Sequence, residues 1–131
     1  MLDTNLCIRV LRERPAAIGQ RFQQEAETLC ISTIVLHELL FGAAKSDRPS
    51  FHRKLVDEFT SRLVILPFDA AASEHAADIK LNLSRRGQLI GPNDLLIAGH
   101  VRSLGVKLIT GNLGEFKRVD GLRCEDWLND S

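Results

Sequence analysis

Brief apolar runs, Leu29–Cys30–Ile31, Leu63–Val64–Ile65–Leu66 and Val106 to Thr110, are separated along this chain by stretches with helical periodicity. Strands that alternate with helices imply a parallel sheet with helices on both faces. Met1–Leu2–Asp3 reads as the end of another short strand, and Leu122–Cys124 as a last one. Between them the pattern predicts helices from Thr4 to about Leu11, from Pro15–Ala16 to about Glu25, and from Thr33 to Lys45. Further helices are predicted over Ser50–Ser61, Ala70–Arg86, and from Gly91–Pro92 to Gly105. Ser32 and Asp69 are placed as N-caps, and Gly87 and Gly105 as helix stops. The unbroken run Leu63–Leu66 suits a parallel strand covered on both faces. At 131 residues, without repeats or linkers, the chain reads as one α/β domain over residues 1–131.

Composition removes several function classes. Seventeen basic residues balance seventeen acidic ones, so the whole surface is not built to grip polyanions. The apolar fraction of 44% is that of an ordered globular domain. No apolar run approaches the ~18 residues of a membrane span, and no signal-like segment is expected. With six Phe, one Trp and no Tyr, a recognition surface of many stacked aromatic platforms is not expected. Cys7, Cys30 and Cys124 are widely spaced and form no Cys-x-x-Cys pair, which points to buried free thiols and the cytoplasm.

The carboxylates carry the chemistry. In such a sheet, ligands bind beyond the carboxyl ends of the strands, where Asp3 lies; Asp3 is also placed to cap the following helix. Glu38 sits within the most apolar helix, among Ile34, Val35, Leu36, Leu39, Leu40 and Phe41, a helix expected to be buried on most sides. A charge there is costly unless paired or bound to a cation. Asp94, in Gly91–Pro92–Asn93–Asp94, lies in the first turn of a helix that starts near the strand ends. There it either complements the helix dipole or joins a site. Asn112, after Thr110–Gly111, reaches the same crevice. Converging carboxylates repel unless protons or a cation intervene, and oxygen-only ligands favour Mg²⁺ or Mn²⁺. Such a cluster suits phosphodiester hydrolysis.

Leu2–Asp3–Thr4–Asn5, Ser32–Thr33 through His37–Glu38–Leu39 and Gly42, Gly91–Pro92–Asn93–Asp94 with Ile97–Ala98, and Ile109–Thr110–Gly111–Asn112 with Glu115–Phe116 occur in order over essentially the whole chain. Together with the closing Leu122–Trp127 they resemble a PIN domain, and more narrowly the VapC-type toxins of bacterial type II toxin–antitoxin systems. The resemblance implies a three-layer α/β sandwich with a central, mostly parallel sheet. It also implies a Mg²⁺-dependent endoribonuclease acting on structured RNA such as tRNA, with Mn²⁺ as a possible substitute. By the same resemblance Asp3, Glu38 and Asp94 are the metal ligands, and Asn112 stands where the family has its fourth acid. There Asn112 can orient a metal-bound water or the phosphate but cannot act as a general base, which puts tight binding of a second metal in doubt. Glu115 is the nearest spare carboxylate. The implied partners are a VapB-type antitoxin, a second copy of the chain, RNA, and operator DNA only through the antitoxin. Ile8, Val10, Leu11 and Phe22 are either core residues or the antitoxin groove.

Arg9, Arg12, Arg14, Arg85, Arg86, Lys117 and Arg118 flank the expected site as phosphate contacts or as solvated helix-end charges. An acid–base histidine pair has no support in the spacing, because His37 and Glu38 point about 100° apart on a helix and His100 is expected to lie too deep. A haloacid-dehalogenase-like phosphatase would need an acid where Asn5 stands. A PIN-like module that only binds RNA or a partner would gain nothing from three converging acids.

Overall fold

The computed structural model describes residues 1–13 and 16–127. Its strands are β1 (Cys30–Ser32), β2 (Val64–Leu66), β3 (Lys107–Ile109) and β4 (Arg123–Glu125). The helices are α1 (Thr4–Glu13), α2 (Ala16–Glu25), α3 (Thr33–Ala44), α4 (Pro49–Thr60), α5 (Ala70–Arg85), α6 (Pro92–Leu104) and the single turn α7 (Leu113–Phe116). Pro15 and Arg14 lie outside the described residues. A short 3₁₀ turn, Ala26–Thr28, leads into β1. The alternation expected from the sequence is present, with α7 the one unanticipated helix.

β1 pairs with β2 in parallel, and so does β3 with β4. Residues 1–3 join the two pairs. Leu2 N–H donates to the Cys30 carbonyl at 2.9 Å, Asp3 N–H to Ile109 at 3.1 Å, and Ile109 N–H to Met1 at 2.8 Å. The order is therefore β2, β1, residues 1–3, β3, β4. The central member is a single parallel bridge between Leu2 and Ile109 rather than a full strand. Leu2, Ile31, Leu108 and Ile109 feed one apolar core shared with Leu6, Val35, Ile97, Val101 and Phe116.

Two local expectations are corrected. Among the described residues β2 is an edge strand paired with β1 alone, and Val64 and Ile65 are 51% and 38% exposed rather than covered on both faces. The apolar run specified a strand but carried no information on whether a further layer covers it. Likewise α3 is buried only along Val35, Leu39 and Ala43, while Phe41 is 59% exposed.

The caps fall where the sequence places them. Ser32 Oγ accepts the Ile34 N–H at 3.1 Å, and Asp69 Oδ1 accepts the Ala72 N–H at 2.9 Å. Gly105 closes α6 in the left-handed region at φ 67°. All three cysteines are free; Cys7 is buried, whereas Cys30 and Cys124 are only partly so. No helix among the described residues is long and apolar enough to cross a membrane.

Candidate active site

Asp3 follows the central bridge and is 1% exposed. Its two oxygens have separate duties. Oδ1 accepts the Leu6 N–H at 2.9 Å and so caps α1, while Oδ2 accepts the Thr110 hydroxyl at 2.5 Å. Capping and site membership, alternatives in the sequence, are both realised. Thr110 Oγ1 in turn accepts the Asn112 N–H at 2.9 Å, which fixes the turn after β3.

Glu38 projects from α3 toward the same end of the sheet. Its Oε1 accepts the Thr4 hydroxyl at 2.6 Å. Two threonines, Thr4 and Thr110, thus hold two acids by charge-assisted bonds, which are shorter and stronger than neutral ones.

Asp94 sits in the first turn of α6, beside Glu115 of α7. The Gly91 N–H donates to Glu115 Oε1 at 2.9 Å, and the Asn112 side-chain amide donates to Oε2 at 2.5 Å. A Cβ on Gly91 would stand 3.5 Å from Asp94 Oδ2 and 3.9 Å from Glu115 Oε1, so the backbone there runs between the two carboxylates. Burial, then the charge of Glu115 and a side-chain hydrogen bond to it, with Asp3 and Glu38 adding to the field, push the Asp94 carboxyl up to about 7. Burial likewise raises Asp3, only partly offset by the Thr110 hydroxyl and Leu6 N–H; Glu38 and Asp126 add to the rise. Carboxylates that raise one another in this way hold uncompensated negative charge.

The structure therefore brings Asp3, Glu38 and Asp94 within one another's electrostatic reach, and places Asn112 beside them, bonded to Glu115. Asn112 spends its side-chain amide on Glu115. Glu115, which the sequence left as a spare carboxylate, is the acid that faces Asp94. The signal was available: residues three apart in a helical turn are neighbours, so a turn at Leu113–Phe116 returns Glu115 to Asn112. Thr4 and Thr110 also carried a signal, each adjoining a site segment in the chain.

An oxygen-only set of mutually repelling acids fits a hard divalent cation. In the geometry described, however, no three His, Cys, Asp or Glu side chains among the described residues are close enough to hold one ion together. Thr4, Thr110, Gly91 and Asn112 instead fix the acids where they stand.

Of the histidines, His100 is 2% exposed, bonded through Nδ1 to Ser32 Oγ at 2.8 Å and packed edge-on against Phe68. Burial lowers its pKa, so it stays neutral. Among the flanking cations, Arg9 pairs with Glu13. Arg86 and Arg118 brace the loop before Gly91 through the carbonyls of Arg118 and Leu89.

The PIN domain family model matches residues 1–122. The chain belongs to the PIN-domain family. Within it, this PIN domain is 45% identical over 127 residues to the tRNA(fMet)-specific endonuclease VapC of Shigella flexneri, covering 97% of this chain and 96% of the relative. It is 45% identical over 128 residues to ribonuclease VapC2 of Haemophilus influenzae, covering 98% and 97%. The solved structure of DNA-bound VapBC from Salmonella typhimurium matches with a TM-score of 0.95 at 44% identity, over 97% of this chain and 96% of that one. VapBC2 from Rickettsia felis bound to a promoter DNA fragment matches with a TM-score of 0.93 at 36% identity, over 97% of both chains. Such kinship places the PIN domain among the VapC proteins and leaves the phosphatase alternative without support.

Proposed function

We propose that this PIN domain is the toxin of a VapBC-type toxin–antitoxin pair, a divalent-metal-dependent endoribonuclease with structured RNA, tRNA foremost, as its substrate. The observation that carries this reading is the shared field of Asp3, Glu38, Asp94 and Glu115, which drives the Asp94 carboxyl to about 7. Near-full-length identity to proteins named as VapC nucleases supports it. Asp3, Glu38 and Asp94 are the proposed holders of Mg²⁺, or of Mn²⁺ in its place, with Glu115 beside them. When bound, such an ion supplies a more acidic water and neutralises charge growing on the phosphate.

The chain's own groups do the remaining work. Thr110 and Leu6 N–H fix the Asp3 carboxylate, and Thr4 fixes Glu38. Gly91 N–H and the Asn112 amide hold Glu115 against Asp94. Glu115, held beside Asp94 and outside the proposed ligand set, is the carboxylate suited to take the proton that an attacking water gives up. Asn112 acts by positioning Glu115 rather than by accepting a proton. The expected setting is the cytoplasm, with a second copy of the chain and a VapB-type antitoxin as partners. Val10, Leu11 and Phe22, half-buried on the groove between α1, α2 and α4, are the proposed antitoxin contacts, and Ile8 lies with Leu11 on the adjoining cavity between α1, α3 and α4.

The test is cleavage of purified total tRNA. We expect scission with Mg²⁺, none with excess EDTA, and at least a hundredfold loss in Asp94→Asn, the order seen on removing one electrostatic group from a preorganised site. Metal-independent cleavage by the pure protein, or full activity in Asp94→Asn, would overturn the reading.

A further inference from the structure

A cavity of about 990 Å³ opens between α1, α3 and α4 and reaches Glu38 of the acid cluster. Its floor is Leu39 and Gly42, and nothing lies within 4 Å of the position a Gly42 Cβ would take. Its rim carries Arg12, Lys45, Phe51 and His52. Arg12 and Lys45 are exposed. The Phe51 ring is 44% exposed, and the Arg48 guanidinium lies over it at 4.2 Å. Lys45 lies over the exposed Phe41 ring at 5.1 Å. Ile8, Leu11, Leu55 and Val56 make its wall apolar, and Glu38 is the only carboxylate lining it among the described residues.

From this arrangement we propose that the groove is the subsite for an unpaired nucleotide of the RNA beside the cut. Arg12 and Lys45 take the phosphate, and the base lies over Gly42 against the Phe51 face. The assignment rests on the nuclease reading and adds to it a place where the strand is held.

Charge complementarity chooses the occupant. A basic rim running up to an acidic reaction centre lets a polyanion approach where the acids alone would repel it. An exposed aromatic side chain in a positively charged groove is a surface on which single-stranded bases stack without sequence preference. A helical glycine with open space above it lets a ligand come close to the backbone. Six phenylalanines in the whole chain do not make a stacking sheet, yet two of them are exposed on this side.

The experiment measures binding of fluorescein-labelled oligouridylate and oligoadenylate by anisotropy, over a series of salt concentrations. Every protein in the binding series carries Asp94→Asn to prevent cleavage, the same variants with Asp94 intact are assayed for tRNA cleavage, and the melting temperature of each is recorded. Arg12→Ala with Lys45→Ala is expected to weaken binding at least tenfold and to reduce the slope of log affinity against log salt by roughly 1.4, two single-strand phosphate contacts. Phe51→Ala is expected to weaken binding about tenfold with the slope unchanged, as loss of one stacked base does. Gly42→Leu, which fills the floor, is expected to weaken both probes without lowering the melting temperature.

Unchanged affinity and slope in all three variants overturns the proposal. So does retained RNA binding together with loss of a co-expressed antitoxin, which would make the groove a protein-docking site. Probe binding that follows the groove in a protein that cleaves no RNA would sink the nuclease reading and leave this assignment standing. Asp94-dependent cleavage that ignores the groove variants would do the reverse.

Discussion

Gly99 of α6 and Gly42 of α3 are both mid-helix glycines, and their surroundings are opposite. At Gly99 a Cβ would stand 2.6 Å from the Ala76 backbone nitrogen and 2.7 Å from its Cα, so α5 and α6 are in backbone contact. At Gly42 a Cβ would meet nothing. Glycine inside a helix costs roughly 0.5–1 kcal/mol relative to alanine, and only Gly99 recovers that cost within the chain. The closed side carries Asp94 at the start of α6, and the open side carries Glu38. The acid cluster lies on the seam between a helix pair with no slack and a face with room for something else.

The sharpest way to break the contrast is Gly99→Val, which forces a branched side chain into the Ala76 backbone. Overpacking of this kind costs about 3 kcal/mol, and we expect the melting temperature to fall by roughly 10 °C or more. The substitution would sink the comparison if calorimetry showed the parent's stability.

A second test addresses the tie between the two sides. Ser32 Oγ caps α3 and also bonds His100 of α6. Ser32→Ala is expected to cost about 1–2 kcal/mol in urea unfolding, the range for a lost cap, and to lower RNA cleavage by moving Glu38 relative to Asp94. A loss of stability with cleavage intact would mean that the tie is structural only.

The pH dependence comes third. The Asp94 carboxyl is raised from 3.8 to about 7 in the fold. A raised carboxyl stabilises the fold while protonated, and that contribution is lost as pH climbs from about 4 through 7. Without divalent ions, Asp94→Asn should therefore melt near the parent at pH 5 and above it at pH 8. The gap is about 1 kcal/mol once solvent screening of this half-buried group is counted. His100, with its lowered pKa, works in the opposite sense at acid pH but is common to both proteins and cancels. Adding Mg²⁺ at pH 8 should close the gap by stabilising the parent alone. Equal melting curves at both pH values would remove the shared-charge account.

The smallest effect is Gly42→Ala, which should gain roughly 0.5–1 kcal/mol in thermal or urea unfolding, because the helix is freed of its glycine and nothing is struck. A destabilised Gly42→Ala would show that the open face is not open.

Much of this was legible in the sequence because the signals are local. Ser32, Asp69 and Gly105 announce their helix ends through side-chain or backbone chemistry within a few residues. Asp3, Glu38 and Asp94 stand out because each is a charge beside an apolar segment. What the sequence did not show depends on neighbours far along the chain. Whether Val64 and Ile65 are covered is decided by which elements fold over β2, and an apolar run reads the same either way. The four-residue α7 is too short to show a period, so Glu115 stayed a spare carboxylate until its turn set it against Asp94. Asn112 was read by its place in a motif, and its amide turns out to be engaged by Glu115.

Leu2 finds its partner at Cys30, but Asp3 needs partners far along the chain, because it is held by Ile109 and Thr110. A nascent chain on the ribosome can form α3 and α6, with Glu38 and Asp94 aboard, and still lack a seat for Asp3 until β3 has left the exit tunnel. The acid cluster is thus assembled across a separation of 107 residues between Asp3 and Thr110.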